Sequence, residues 1–372
     1  MSDTGGGHRS AAEALSAALA QEYPSRYAVT LVDVFKRAAT FPLNYAPETY
    51  LPLTTYLEWL WGFGFRVSNN RLVTRVAAPY LLWSIARGLR AILREQNPDL
   101  VVSTHPIFVA LGRRALREVG ARAPFITVVT DLFDAHGFWF DPEVDLCIVP
   151  TEGARRVAQR FGMPAEKLRV IGEPVSLKFA DAPSPPSALR LKLGLEPDRT
   201  TILLVGGGEG MGPLYRIART LDRARLPIQL VVIAGRNRAL CDKLRAAAWQ
   251  IPVRVEGFVT NMPEWMRAAN LIITKAGPGT ISEALACGLP ILLSGFLPGQ
   301  EKGNVTFVEQ GGVGILRKNP DDLARTVREW LTPGNDTLAR FAARAQELAR
   351  PRAALDIAKT LDDCLTARAT RV

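Results

Sequence analysis

The sequence predicts an α/β protein of two domains, each a parallel sheet covered by helices on both faces. Three observations carry this. Short apolar, β-rich runs alternate with helical stretches along the whole chain, and glycine or proline marks the junctions. The alternation restarts after a proline-rich break near the middle. The 372 residues are enough for two full cores.

In the first half, residues 29–34, 100–103, 125–130 and 146–149 read as strands, and 80–95 and 153–161 as helices. Residues 2–9, SDTGGGHR, have the form of a turn that follows a strand, with a helix over 10–21 after it. The first strand is missing from the sequence as it stands, or the true start lies upstream; alternatively the glycine-rich start is simply disordered. Residues 180–186 hold three prolines and a serine and read as a linker. Strands follow at 201–205, 228–234, 253–255, 271–274 and 290–293. The expected domains are 1–173 and 174–372, with the last helix packing back on the first domain and a cleft between the two. In open sheets of this kind a ligand sits at the carboxyl ends of the strands.

Composition is ordinary for a globular protein, at 48% apolar and 22% charged residues. No run approaches the roughly 18 apolar residues of a membrane-spanning helix. The Met-Ser-Asp start with its glycines is not a secretory signal. The four cysteines stand far apart without metal-ligand spacing and read as reduced thiols of a cytosolic protein. A net charge of +10 calls for an acidic partner: ligand phosphates, nucleic acid or an anionic membrane.

Residues 274–304, TKAGPGTISEALACGLPILLSGFLPGQEKGN, are the most informative stretch. A buried strand runs into the turn Gly277-Pro278-Gly279-Thr280. A helix over 281–287 follows, with Ser282 and Glu283 in its first turn. A second strand then leads to a loop holding Gln300, Glu301, Lys302 and Asn304. A glycine turn at a helix start offers N–H groups and a positive dipole end to phosphate. The loop offers hydrogen bonds to a polyhydroxyl group. Together they point to a nucleotide-sugar site.

GGGEGMGP, residues 206–213, follows another strand. It lacks the Lys-Ser/Thr of a P-loop and fits G-x-G-x-x-G in no register. It is either a tight turn or a place where backbone, Gly207 and Gly208 included, approaches a ligand. Arg236 and Asn237 follow the next strand and can add polar contacts. The three histidines, His8, His105 and His136, all follow a turn or a strand end in the first half, which favours a shared site over three separate structural roles. Asp131 and Asp134 lie near His136; Asp131 orients an imidazole, binds a hydroxyl or caps a helix. No Asp-x-Asp element, His pair or cysteine cluster supports a metal, so none is expected.

Residues 45–94 interleave aromatics, among them Tyr45, Tyr50, Tyr56, Trp59, Trp61, Phe63, Phe65 and Tyr80, with Arg66, Arg71, Arg75 and Arg87. This suits an anionic membrane interface. It also suits a core cluster beside a basic helix face. No nucleic-acid module is present, so nucleic acid is not an expected partner.

The segments SDTGGGHRSAAEAL, STHP, VVTDLFDAHGFWF, GGGEGMGP, AGRN and TKAGPGT…PGQEKGN, in that order, resemble the monogalactosyldiacylglycerol synthases. These belong to a wider group with diacylglycerol glucosyltransferases and the lipid-linked N-acetylglucosaminyltransferase of peptidoglycan synthesis. The resemblance implies a GT-B fold of two Rossmann-like domains and a peripheral enzyme at the cytoplasmic face of a membrane. It implies inverting, metal-free transfer of a hexose, galactose first, from a UDP-sugar to diacylglycerol. By that likeness His8 is the general base, Glu283 holds the ribose, and Gln300, Glu301 and Asn304 serve the sugar. Gly277 to Thr280 meet the pyrophosphate, and the backbone at Phe258 and Val259 holds uracil. Gly6, Gly7, His105, Asp131 and His136 lie on the acceptor side, and Trp59, Trp61, Phe65 and Arg66 dock on the bilayer. The family's strand before SDTGGGH is absent here. Three alternatives stay open: another UDP-sugar or lipid acceptor, a UDP-sugar epimerase, or a non-catalytic binding protein. The sequence leaves the oligomeric state undetermined.

Overall fold

The computed structural model describes residues 1–2, 6–41, 43–46, 48–49, 54, 57–69, 83–181 and 184–369. They form two compact units. One comprises Met1–Leu177, Leu297–Gly303 and Arg352–Val372, the other Lys178–Phe296 and Asn304–Pro351.

The first unit is built on β1 (Val101–Ser103), β2 (Phe125–Val128), β3 (Leu146–Val149) and β4 (Leu168–Val170), parallel and in chain order. All residues of β2 and β3 are buried, as expected of strands covered on both faces. One face packs against Ile85, Leu89, Val109 and Leu111 of the helices Trp83–Gln96 and Phe108–Glu118. On the other, Leu15, Ile357 and Leu361 of the helices Gly7–Glu22 and Ala353–Ala369 meet Ile126, Val128 and Ile148. Those two helices pack through Ala14, Ala18, Ala354 and Ala358. Small side chains let them approach closely, and this brings the last helix onto the N-terminal unit.

The second unit carries β5 (Thr200–Val205), β6 (Ile228–Ile233), β7 (Val253–Glu256), β8 (Leu271–Lys275), β9 (Ile291–Gly295) and β10 (Gly314–Leu316). All pairs are parallel in the order β10-β9-β8-β5-β6-β7. This is the doubly wound order of dinucleotide-binding sheets, with its reversal between β5 and β8. Ile202, Leu204, Leu230, Val232 and Ile273 are fully enclosed beneath the helices Leu214–Arg223 and Pro320–Trp330.

The structure corrects the sequence reading in four places. Residues 29–34 form no strand. Asp33 there caps the helix Val34–Ala38 by accepting from Lys36 N at 3.2 Å, and backbone bonds of Val32 and Val34 to Met1 make a single pair rather than a ladder. β4 and β10 are too short, at three residues each, to stand out as apolar runs. The described residues of 180–186 belong to the second unit, where Arg267 donates to the carbonyls of Phe179 and Asp181 at 3.1 and 2.9 Å. The helix expected from residue 281 begins at Pro278, whose fixed φ suits a first turn, so Glu283 sits in the second turn.

Candidate active site

The crevice of a doubly wound sheet opens where the strand order reverses. Here β5 runs into the loop 206–212, and β8 runs into Gly277 and the helix Pro278–Ala286. Two glycines of the first loop serve the fold. A Cβ on Gly206 would lie 2.6 Å from the Met211 carbonyl oxygen, and one on Gly210 2.1 Å from that of Ala234. Gly207 and Gly208 face cations instead. The nearest atom to a Cβ on Gly207 is Lys275 Cε, at 4.0 Å, and to one on Gly208 it is Arg236 Nη1, at 3.2 Å. Lys275 ends β8 at a register irregularity with β9, a device that re-aims side chains. Arg236 pairs with Glu209 at 2.7 Å and covers the Phe258 ring at 4.4 Å, and Phe258 is exposed.

At the second loop, Gly277 has no side chain to cap the helix and Pro278 has no N–H. The N–H groups of Gly279 and Thr280, in the first turn, therefore have no side-chain cap and lie at the positive end of the helix dipole. Asn304, buried, donates from Nδ2 to the Ala276 carbonyl at 2.9 Å and so holds this turn. Glu283 is half-buried, and burial raises its carboxyl to about 7.

The first unit gathers its polar groups around His8, in the first turn of the helix Gly7–Glu22. Gly6, at φ 78°, starts that helix in a left-handed conformation that suits glycine. The His8 carbonyl accepts from Thr104 Oγ1 at 3.0 Å, and Nδ1 lies 3.1 Å from Thr130 Oγ1. The ring meets His105 edge-on at 4.5 Å and Trp139 at 5.8 Å between centroids. Burial lowers its pKa to about 4, which leaves a neutral imidazole at pH 7. His105 is buried against Phe108, accepts from Ile107 N at 3.3 Å, and is held by burial well below its ordinary pKa. Asp131 accepts from Trp139 Nε1 at 2.6 Å. Burial, with the charge of Glu301 adding, raises it to about 6. His136 accepts from Phe138 N at Nδ1, so in its neutral form Nε2 carries the proton toward Ser68 Oγ at 3.1 Å. Burial lowers it to about 4.

Ser68 ends the helix Glu58–Ser68, whose two faces differ. Trp59, Phe63 and Val67, spaced by four residues, are 72%, 62% and 52% exposed, and Leu60 and Arg66 are exposed beside them. The opposite face turns to the protein. Phe65 meets His136 at 4.7 Å, and Asn69, just past the helix, accepts from Gly137 N at 2.8 Å.

Residues 8–175 match the monogalactosyldiacylglycerol synthase model, and 201–357 the C-terminal domain of glycosyltransferase family 28. Monogalactosyldiacylglycerol synthase 2 of Arabidopsis thaliana is 39% identical over 98% of this chain and 79% of its own length. The chain belongs to the monogalactosyldiacylglycerol synthase family. As such it is a UDP-sugar-dependent glycosyltransferase. MurG of Acinetobacter baumannii superposes at a TM-score of 0.57 and 16% identity, over 77% of this chain and 79% of that one. HepE of Anabaena, in complex with UDP-glucose, does so at 0.52 and 18%, over 76% and 82%. At such identities the likeness concerns the fold, which is GT-B.

Within this family fold, Gly207, Gly208, Arg236, Asn237, Phe258, Val259, Gly277, Pro278, Gly279, Thr280, Glu283 and Asn304 all lie in the second unit, at or near the carboxyl ends of its strands. Gln300 and Glu301 do not: their loop, Leu297–Gly303, packs with the first unit. Several expected ligand contacts use their side chains on the protein. Asn237 caps the helix Arg238–Arg245 through Leu240 N, and Asn304 holds Ala276. Glu301 accepts from its own loop at Leu297 N, 2.8 Å away. Phe65 and Trp61, expected at the bilayer, face inward or are half-buried, because one helix cannot expose them together with Trp59 and Phe63. Arg71, Arg75, Tyr50, Tyr56 and Tyr80 lie outside the described residues. Sequence reasoning missed Thr104, Thr130, Trp139 and Lys275. Three of these end or follow predicted strands, and Trp139 lies within the family-like segment VVTDLFDAHGFWF, which were the available signals. Among the described residues no group of three or more His, Cys, Asp or Glu side chains is placed to hold a metal, and no helix is long and apolar enough to cross a membrane.

Proposed function

We propose that His8 is the base with which this glycosyltransferase moves galactose from UDP-galactose to the free hydroxyl of 1,2-diacylglycerol. The observation that carries it is the half-buried, neutral imidazole of His8 with Nδ1 beside Thr130 Oγ1 at 3.1 Å. When Nδ1–H donates to Thr130, Nε2 presents a lone pair. That nitrogen takes the hydroxyl proton as the oxygen attacks the anomeric carbon. The bond from that carbon to the diphosphate oxygen breaks, UDP leaves with the electron pair, and the configuration inverts to β.

The second unit would hold the donor. The N–H groups of Gly279 and Thr280 and the cations Lys275 and Arg236 suit the diphosphate, Glu283 the ribose, and the backbone at Phe258 and Val259 the base. Gln300 and Glu301 would serve the sugar hydroxyls. These cations and dipoles support a leaving group stabilised without a metal. The exposed row Trp59, Phe63 and Val67, flanked by Arg66, supports peripheral docking on an anionic membrane.

The test is turnover of a panel of UDP-sugars with diacylglycerol in mixed micelles, with products resolved by mass. Monogalactosyldiacylglycerol from UDP-galactose is the expected product. Release of an epimerised UDP-sugar, or no lipid product from any donor, would overturn the reading.

A further inference from the structure

The helix that carries the exposed row Trp59, Phe63 and Val67 has an inner face, and that face rests on the loop Leu297–Gly303. Gly62 faces Pro298 so closely that a Cβ on Gly62 would stand 3.0 Å from Pro298 Cβ. One residue further along the loop, Gly299 takes a left-handed φ of 84°, and a Cβ there would stand 3.1 Å from Phe65 Cβ and Cδ1. Both approaches depend on glycine, one on each partner. Past the loop's middle, a Cβ on Gly303 would lie 2.6 Å from Asp134 N. Phe65 and Ser68 of the helix also grip His136, in the same segment as Asp134. The loop is therefore held between the helix at Pro298 and Gly299 and the 131–136 segment at Gly303. Gln300 and Glu301 lie between these anchor points.

The outer and inner faces belong to one rigid helical turn pattern. Trp59, Phe63 and Val67 lie on one side, and Gly62, Phe65 and Asn69 on the other. A force that orders the outer face orders the inner face with it. We propose that the helix Glu58–Ser68 is the positioning element of the sugar loop, so that docking its outer face on a membrane sets Gln300 and Glu301 for the donor sugar. Phe65 and Gly62 act as positioning residues through the loop. The donor is then bound better by the membrane-docked enzyme, which limits use of the UDP-sugar where no lipid acceptor is present. This inference rests on the membrane-docking and sugar-loop assignments proposed above.

The probe is donor affinity without any acceptor. UDP and UDP-galactose are titrated into the full chain by calorimetry, with and without vesicles of zwitterionic and anionic phospholipid that contain no diacylglycerol. UDP lacks the hexose and does not report on the sugar loop. Vesicles should tighten UDP-galactose by about fivefold or more, the low end of site-to-site couplings, and leave UDP unchanged. Gly62→Leu, which pushes against Pro298, should still sediment with vesicles but lose the tightening. Phe65→Leu, a smaller change, should reduce it and serves if Gly62→Leu does not fold. Co-sedimentation with no change in UDP-galactose affinity overturns the inference and leaves membrane docking standing. Equal tightening of UDP and UDP-galactose also overturns it. Absence of co-sedimentation overturns membrane docking and the inference together.

Discussion

Binding of UDP-galactose should expel a proton from Glu283. Burial raises this carboxyl to about 7, so near neutral pH the unliganded protein holds it as a mixture of acid and carboxylate. Two ribose hydroxyls that donate to it need the carboxylate. Bonds to an ionised acceptor contribute about 1.5–3 kcal/mol each, enough to pull the pKa back down by more than one unit. The donor then binds the ionised form. Its affinity should rise by up to about tenfold per unit between pH 5 and 7 and level off above. In the unliganded protein the effect on stability has the opposite sense. The folded state holds a proton that the unfolded chain releases between about 4.5 and 7, so this group's contribution to stability is present below that window and is lost as pH rises through it. UDP-galactose is the ligand to use, because its diphosphate is a diester with no group titrating near neutrality. Calorimetry at pH 7 in buffers of different ionisation enthalpy reads the released proton directly. Glu283→Gln should bind more weakly, release no proton and lose the pH dependence. An observed enthalpy independent of buffer, or a Gln variant with native affinity, would refute the ribose role and leave Glu283 as a merely buried helix acid.

Three further outcomes are expected. At saturating UDP-galactose the rate should hold from neutral pH down to about pH 5 and fall below that as His8 takes up a proton, since its pKa lies at about 4; a saturated pH–rate profile that breaks near 6.5 would mean that His8 is not the buried group described. Turnover should persist in excess chelator, and strict restoration by Mg²⁺ or Mn²⁺ after stripping would overturn a metal-free leaving group. Serine at Trp59, Phe63 and Val67 should remove the salt-resistant part of liposome sedimentation, whereas Arg66→Gln should lower its dependence on anionic lipid by about 1 kcal/mol; a folded triple variant that sediments like the parent would place the acceptor entrance elsewhere.

Much of the fold was legible because its carriers are local. The runs TILLV and LIIT are continuous apolar strands, and the GGGEGMGP and KAGPGT that follow mark their carboxyl ends. That is where the doubly wound sheet puts its crevice. What stayed illegible depends on distance in the chain. Nothing near residue 300 announces that its loop packs with the first unit; the signal is two glycines, Gly62 and Gly299, far apart in sequence, each small because the other element is close. Aromatic content alone did not tell Phe63 from Phe65, since composition has no phase; the helix, turning 100° per residue, separates them. Asn304 read as a ligand contact because a polar residue in a binding segment looks the same whether it meets a ligand or the backbone of Ala276. His8 was picked out by the glycines before it, whereas Thr130, beside its ring, comes from the loop after β2, more than a hundred residues away.

The most direct test of the account is His8→Ala, assayed for both transfer and donor binding. Removal of a general base costs roughly 10²–10⁴-fold in rate. The account predicts a loss of that size in galactose transfer to diacylglycerol, with UDP affinity unchanged, because the nucleotide contacts it proposes all come from the second unit. Transfer at the native rate would contradict it. So would a matching loss of UDP affinity, which would make His8 part of the donor site rather than the base.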